Sequence, residues 1–304
     1  MNDKVKEIVE VEEEETRFLT AGWYEDLDNE KYHRSNGTSS SGLKTLLPQT
    51  AAHLKYSREH PKSSTPNMRL GTAVHSLVLE PHKFEEDNAV MPVINARTNA
   101  GKAEKADFVQ ANEGKNVITL DQYDVAQKMA ERVHAHPIAG LLVKDLIVES
   151  SIYWWYKARD REDGTEYKEL LKVRPDGISK NYPILIDLKT TADGSYSGFI
   201  KSVQNFYYHV SAAMYLEGVN QNKQLMSEVK HVNFNKFVFV CVENFPPYEV
   251  SCYELSEDYR KIGYYLYAMG VERLQLGREN AWPGYPEEVR VLEPPGYARN
   301  FHIV

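Results

Sequence analysis

The sequence predicts an α/β chain of the mixed α+β kind, with a central mixed β-sheet flanked by helices. Three observations carry this. Amphipathic helical segments fill the first half, a block rich in β-branched and aromatic residues begins near residue 146, and a second strand pair follows a further helical stretch. The order helix, strands, helix, strands, helix favours one mixed sheet with helices packed on it. At 304 residues the chain can bury a substantial core.

The N-terminal end stands apart by charge. Residues 1–30 hold eleven Asp/Glu and three Lys/Arg, a balance of −8, and the remaining chain carries 33 of each sign. The run "EVEEEET" (10–16) reads as a solvated acidic tail. The division expected is therefore a tail over 1–30 and one domain over 31–304. A body with balanced charge neither favours nor forbids nucleic acid. No apolar run is long enough to cross a bilayer, and Cys241 and Cys252 lack metal-binding spacing. A soluble protein of the reducing cytoplasm, with no membrane partner, is the expectation.

In "GTSSSGLKT" (37–45) Leu43 stands where a phosphate-binding loop needs its lysine, which excludes that motif. Ser40 or Ser41 is read instead as the N-cap of a helix carrying Leu43, Leu46 and Leu47. "RLGTAVHSLVLEP" (69–81) puts Leu70, Ala73, Val74, Leu77 and Val78 on one stripe, with His75 at its edge and Pro81 at the exit. A polar, basic stretch at 97–108 precedes a helix in "DQYDVAQKMAERVHAHPIAGLL" that stops near His136-Pro137. "LIVESSIYWWYK" (146–157) and "EYKELLKVRPD" (166–176) read as strands joined by the turn "RDREDGT", and "PILIDLKTT" (183–191) as a third. A helix near 199–217 follows. "KFVFVCVEN" (236–244) and "YEVSCYEL" (248–255) are strands linked through "FPP", and a last helix runs from Ser256 to about Glu279.

The chemistry concentrates at residues 174–191, "RPDGISKNYPILIDLKTT". Asp187 and Lys189 are two apart on a strand, so their side chains leave the same face. With the centre of the connection at "SKNY" (179–182) placed between Asn181 and Tyr182, cross-strand partners sum to 363, which sets Asp176 opposite Asp187 with Cβ atoms about 5 Å apart. Facing carboxylates destabilise a sheet, and a divalent cation between them, Mg²⁺ or Mn²⁺, removes the penalty. Simple pairing of Lys189 with Asp187 is the competing account. A metal that polarises a phosphate, with a lysine to place water and offset transition-state charge, is the equipment of phosphodiester hydrolysis.

Pro175-Asp176 and Asp187-x-Lys189 resemble the PD-(D/E)xK signature of restriction-endonuclease-like nucleases. With "LGTAVHSLVLEP", "MPVINARTNAGKAEK", "AHPIA" and "YYHVSAAMY", the chain resembles the RecE-type exonucleases (the exonuclease VIII nuclease domain), a RecB-like branch, from about Tyr32 to Trp282. The resemblance implies a restriction-endonuclease-like core and a Mg²⁺-dependent exonuclease, Mn²⁺ substituting, that digests linear double-stranded DNA from 5′ ends. It would leave 3′ overhangs for recombination and repair by a RecT-type single-strand annealing protein. A ring-shaped homo-oligomer, a tetramer, and a phage or prophage origin are implied too. His75, Asp176, Asp187 and the Leu188 backbone carbonyl would hold metal, and Lys189 would be the catalytic lysine.

One departure from the family pattern is Ser211 where Gln-x-x-x-Tyr wants glutamine, Tyr215 being retained. On a continuous helix Gln204, Tyr208, Ser211 and Tyr215 share a stripe opposite Phe199, Val203, Val210 and Met214. That stripe is expected to face DNA, with Tyr208, His209 or Gln204 covering for the missing amide, or else to pack under a loop. Lys172 and Arg174 are read as phosphate contacts or as surface ion pairs. Two alternatives remain: a single-strand or flap nuclease of the same fold, whose iron–sulfur version needs four cysteines, and a non-catalytic DNA-end-binding scaffold. The intact His/Asp/Asp/Lys set disfavours the second.

Overall fold

The computed structural model describes residues 18–61, 63–95, 97–159, 164–225, 227–229 and 233–294. The acidic run 10–16 and the centre of the expected turn, 160–163, lie outside the described residues. In chain order the strands are β1 Gly22–Tyr24, β2 Thr38–Ser39, β3 Asn88–Met91, β4 Asn116–Thr119, β5 Leu146–Val148 and β6 Ser151–Arg159. They continue with β7 Glu166–Val173, β8 Gly177–Ser179, β9 Ile184–Thr191, β10 Lys236–Glu243 and β11 Val250–Glu254. The helices are α1 Asn29–Arg34, α2 Ser40–Thr45, α3 Ala51–Glu59, α4 Pro66–Leu79, α5 Phe84–Asp87 and α6 Asn99–Ala111. After these come α7 Leu120–Ala135, α8 Ala139–Leu142, α9 Tyr196–Asn205, α10 Tyr208–Asn222 and α11 Glu257–Glu279.

The strands form a five-stranded mixed sheet in the order β11-β10-β9-β8-β5, a four-stranded sheet β1-β6-β7-β2, and a parallel pair β3-β4. The expected single sheet is thus divided, and the register explains how. Ile152 pairs with Val173 in the β6–β7 hairpin and Val148 with Gly177 in β5–β8; both pairs sum to 325. One long hairpin therefore runs through both sheets without slipping register. It kinks where Glu149 takes a left-handed φ of 48° on one arm, and where Pro175, with no N–H for a ladder, stands on the other. β8 then turns into β9 with Gly177↔Ile186 and Ile178↔Leu185, pairs that sum to the 363 expected from the turn. β1 pairs with β6, so the four-stranded sheet takes in Gly22–Tyr24, on the tail side of the division expected at residue 30.

Two helical layers cover the five-stranded sheet. The stripe of α4 (Leu70, Ala73, Val74, Val78) packs with α7 against the Ile186–Leu188 face, joined there by Val238 and Val240. On the other face Leu185, Phe237 and Phe239 meet Phe199, Val203, Val210 and Met214 of α9 and α10. The helix expected near 199–217 is two helices, because Tyr207 adopts φ 52°, ψ 43° between them. α10 crosses α11 at backbone contact: a Cβ on Gly263 would lie 2.1 Å from the His209 carbonyl oxygen. The first cap also shifts slightly, with Ser39 rather than Ser40 or Ser41 receiving the Gly42 N–H at 3.4 Å.

Candidate active site

Four of the expected residues come together at the kink. Asp176 Oδ2 accepts the Leu188 N–H at 2.7 Å and lies 3.7 Å from His75 Nδ1. Asp187 is 4 % exposed and ion-paired with Lys189, two positions along β9 as strand geometry requires. Its Oδ2 has no further hydrogen-bond partner among the described residues. Leu188, whose carbonyl is an expected ligand, is buried between them and serves Asp176 through its N–H.

The electrostatics follow from burial beside like charge. Burial, then the Asp187 carboxylate, pushes the Asp176 carboxyl up to about 7, against the pull of Lys189 and the Leu188 N–H. Burial works against the Lys189 ammonium, but Asp187 and Asp176 outweigh it and hold its pKa above the ordinary value. Burial, then Lys189, lowers the pKa of His75, favouring the neutral imidazole that can donate a lone pair.

The sequence reading missed Glu149. The hairpin register that pairs Val148 with Gly177 sets Glu149 opposite Asp176, since 149 and 176 also sum to 325. Asp176 acts on it: burial first, and Asp176 next, raise the Glu149 pKa, with His75 and Arg174 opposing. The sequence signal falls one residue short: the midpoint of "RDREDGT" (159–165) is Glu162, which implies a sum of 324, whereas the ladder pairs Arg159 with Glu166 and keeps 325. Glu149 thus follows the end of β5 and Asp176 precedes the start of β8, next to the position in the ladder that leads to Asp187 of β9.

Several expected DNA contacts are corrected. Lys172 is 5 % exposed and donates to the Tyr32 carbonyl at 2.6 Å, the Ser35 carbonyl at 2.8 Å and Ser35 Oγ at 3.1 Å, so its ammonium caps the end of α1 and is neither a phosphate contact nor a surface ion pair. Arg174 is used up in the same way, on Ser151 Oγ at 2.9 and 2.7 Å and the Leu27 carbonyl at 2.6 Å, with its guanidinium 4.4 Å above the Tyr32 ring. The break at Tyr207 takes Gln204 off the supposed stripe, and its amide donates to Tyr259 Oη at 3.1 Å. His209 is 1 % exposed, with Nδ1 donating to the Val203 carbonyl at 3.2 Å, so it is enclosed between helices rather than turned to DNA.

The rest of the stripe does reach the site. The Tyr208 ring lies 5.4 Å from Lys189 Nζ. Burial, then Asp187 and Asp176, holds the Tyr215 phenol above its ordinary pKa, which places its hydroxyl in the field of both carboxylates. Ser211 is buried, and its Oγ accepts from Lys44 Nζ at 3.0 Å.

In donor type the set fits a hard divalent cation: two carboxylates and a neutral imidazole, with the buried Asp187 Oδ2 partnered by Lys189 alone among the described residues. Among the described residues no three His, Cys, Asp or Glu side chains close around one point, and Lys189 is the cation that neutralises Asp187. A mixed sheet carrying Asp187-x-Lys189 beside Asp176 defines a protein of the PD-(D/E)xK class, whose nucleases generally use divalent metals. The chain belongs to the family described as PDDEXK-like domain of unknown function (DUF3799), whose model matches residues 39–294.

None of the curated proteins matches the sequence. Among solved structures, the fold is similar to that of a Eubacterium rectale protein described as a candidate exonuclease. The TM-score is 0.56 at 15% identity, covering 89% of this chain and 96% of that one. The crystal structure of SSO0001 also matches, with a TM-score of 0.28 at 15% identity over 68% of this chain and 86% of that chain, too low to carry an argument. Among the described residues no helix is long and apolar enough to cross a membrane.

Proposed function

We propose that this chain is a Mg²⁺-dependent exonuclease that hydrolyses linear double-stranded DNA from 5′ ends and leaves 3′ single-stranded overhangs. The observation that carries the reading is the meeting of Asp176, Asp187 and Lys189 beside His75, three titratable groups gathered in a largely buried setting. His75, Asp176, Asp187 and the Leu188 carbonyl would hold the metal. When bound, the metal supplies polarisation of the phosphate and a lowered pKa for its water. Lys189, kept protonated by its two carboxylate neighbours, cannot take a proton. It acts by placing the attacking water and by offsetting the charge that builds on the phosphate oxygens. The resemblance to RecE-type enzymes supports the further parts of the proposal: 5′ polarity, a ring-shaped homo-oligomer on DNA ends, and an annealing protein of the RecT type as partner in recombination.

The test is digestion of a linear duplex labelled at either its 5′ or its 3′ ends, in Mg²⁺ or in EDTA, with Lys189→Ala alongside. Release of 5′ label as small products in Mg²⁺, abolished by EDTA and lowered at least 10²-fold in the variant, is expected. Duplex binding without cleavage in Mg²⁺ or Mn²⁺ would leave an end-binding scaffold in place of an enzyme.

A further inference from the structure

Beside Lys189 stands a second lysine with no carboxylate partner among the described residues. Lys44 comes from α2, more than a hundred residues away in sequence, and Ser211 of α10 holds its Nζ at 3.0 Å. The same Nζ lies 5.8 Å from the centroid of the Tyr208 ring, and Lys189 Nζ lies 5.4 Å from that centroid. Two ammonium groups therefore share one aromatic ring. Lys189 is matched by Asp187, whereas among the described residues no carboxylate is paired with Lys44. Burial and the Lys189 charge lower the Lys44 pKa to about 8, against the pull of Asp187. A half-buried cation with only a hydroxyl and a ring face for company is costly to keep, unless an anion arrives to meet it.

We infer that Lys44, held in place by Ser211, grips a backbone phosphate of the strand being cut, next to the phosphate addressed by Lys189. This rests on the nuclease reading above and adds a named phosphate contact to it. Position 211, where an amide is expected, carries instead a serine too short to reach a ligand. The reach is supplied by the lysine it positions. Lys172 and Arg174, the cations that sequence alone nominated, are spent on backbone carbonyls and Ser151, which leaves Lys44 with the free charge. A phosphodiester suits the place because it stays anionic at every working pH and accepts from several directions at once.

The experiment measures binding of a fluorescently labelled blunt duplex in EDTA, between roughly 50 and 200 mM KCl, for the wild type, Lys44→Gln, Lys44→Arg and Ser211→Ala. Loss of one phosphate contact lowers the slope of log affinity against log salt by about 0.9. Lys44→Gln is expected to show that loss, with binding roughly tenfold weaker and the fall in kcat/KM carried mainly by KM. Its unfolding midpoint should hold or rise, since an unmatched buried charge has been removed. Lys44→Arg keeps the slope. Ser211→Ala keeps the slope and loses affinity a few-fold, because the charge remains but is no longer positioned. Wild-type slope and affinity in Lys44→Gln would overturn the assignment while leaving the nuclease reading intact. A wild type that binds no duplex at any of these salt concentrations would overturn both.

Discussion

Asp176→Asn should make the metal-free protein more stable and its catalysis nil, and the size of the gain can be worked from the site. Asn is chosen because it keeps an acceptor for the Leu188 N–H that Asp176 Oδ2 receives at 2.7 Å. What it removes is a largely buried carboxylate in the field of Asp187 and close enough to Glu149 to act on it. The rise of the Asp176 pKa from 3.8 to about 7 is worth roughly 4 kcal/mol of ionisation penalty in the folded state. The sign is that of an acid whose folded pKa is raised. The penalty is absent below pH 3.8, grows as the pH climbs to about 7, and is complete above it. In EDTA at pH 8 the variant should therefore unfold several degrees higher than the wild type, at about 2 °C per kcal/mol for a chain of this size. Near pH 4 the two should coincide. Adding Mg²⁺ at pH 8 should raise the midpoint of the wild type and leave that of the variant nearly unmoved, because binding to the native state stabilises by mass action. Thermal and urea unfolding at the two pH values, with and without Mg²⁺, make the measurement. A variant no more stable than the wild type at pH 8 in EDTA would refute the claim that Asp176 is kept ionised at a cost that a cation relieves.

Lys189→Ala should move stability the other way, by about 3 kcal/mol at pH 8, since it strips the counter-ion from Asp187, which is 4 % exposed; Asp187→Asn in the same chain should recover most of that loss in urea titrations. Lys172→Met should cost about 2 kcal/mol by orphaning the carbonyls of Tyr32 and Ser35, while leaving the salt slope of duplex binding at its wild-type value, the opposite pattern to Lys44→Gln. Arg278→Ala should destabilise by about 3 kcal/mol, because the 3 %-exposed Glu169 carboxylate, which receives Arg278 from α11, would keep only the Thr38 hydroxyl and the nearby Arg58 charge; kcat should be unchanged in the surviving folded fraction.

The contrast between Lys172 and Lys44 shows which parts of this site a sequence can carry. Register was legible because a turn's centre is written in adjacent residues: "SKNY" set Asp176 against Asp187, and the observed pairs 177 with 186 and 178 with 185 keep that sum. The stripe of α4 was legible for the same reason, since its period is local and its edge residue, His75, falls where helix geometry puts it. The split of the sheet was not, because Glu149 turns left-handed without a glycine or a proline of its own to announce it. The split at Tyr207 was hidden more deeply. Val203 and Val210 are seven apart and both buried, so the helical period runs straight across the break and Gln204 looks aligned with Tyr208 when it is not. Charge was the least legible quantity. Lys172 sits two residues before Arg174 in a run leading to Asp176 and looks like a phosphate contact, yet its partners lie 140 and 137 positions away and bury it. Lys44 sits in a serine-rich segment with no carboxylate near it in sequence, and its partner is 167 positions on. A cation's role depends on whether the fold brings it an anion or a carbonyl, and that is decided between layers rather than along the chain. The positive charge available to a ligand should therefore be sought among lysines that the folded core has left unmatched, and here that criterion selects Lys44 over the two cations adjacent to the motif.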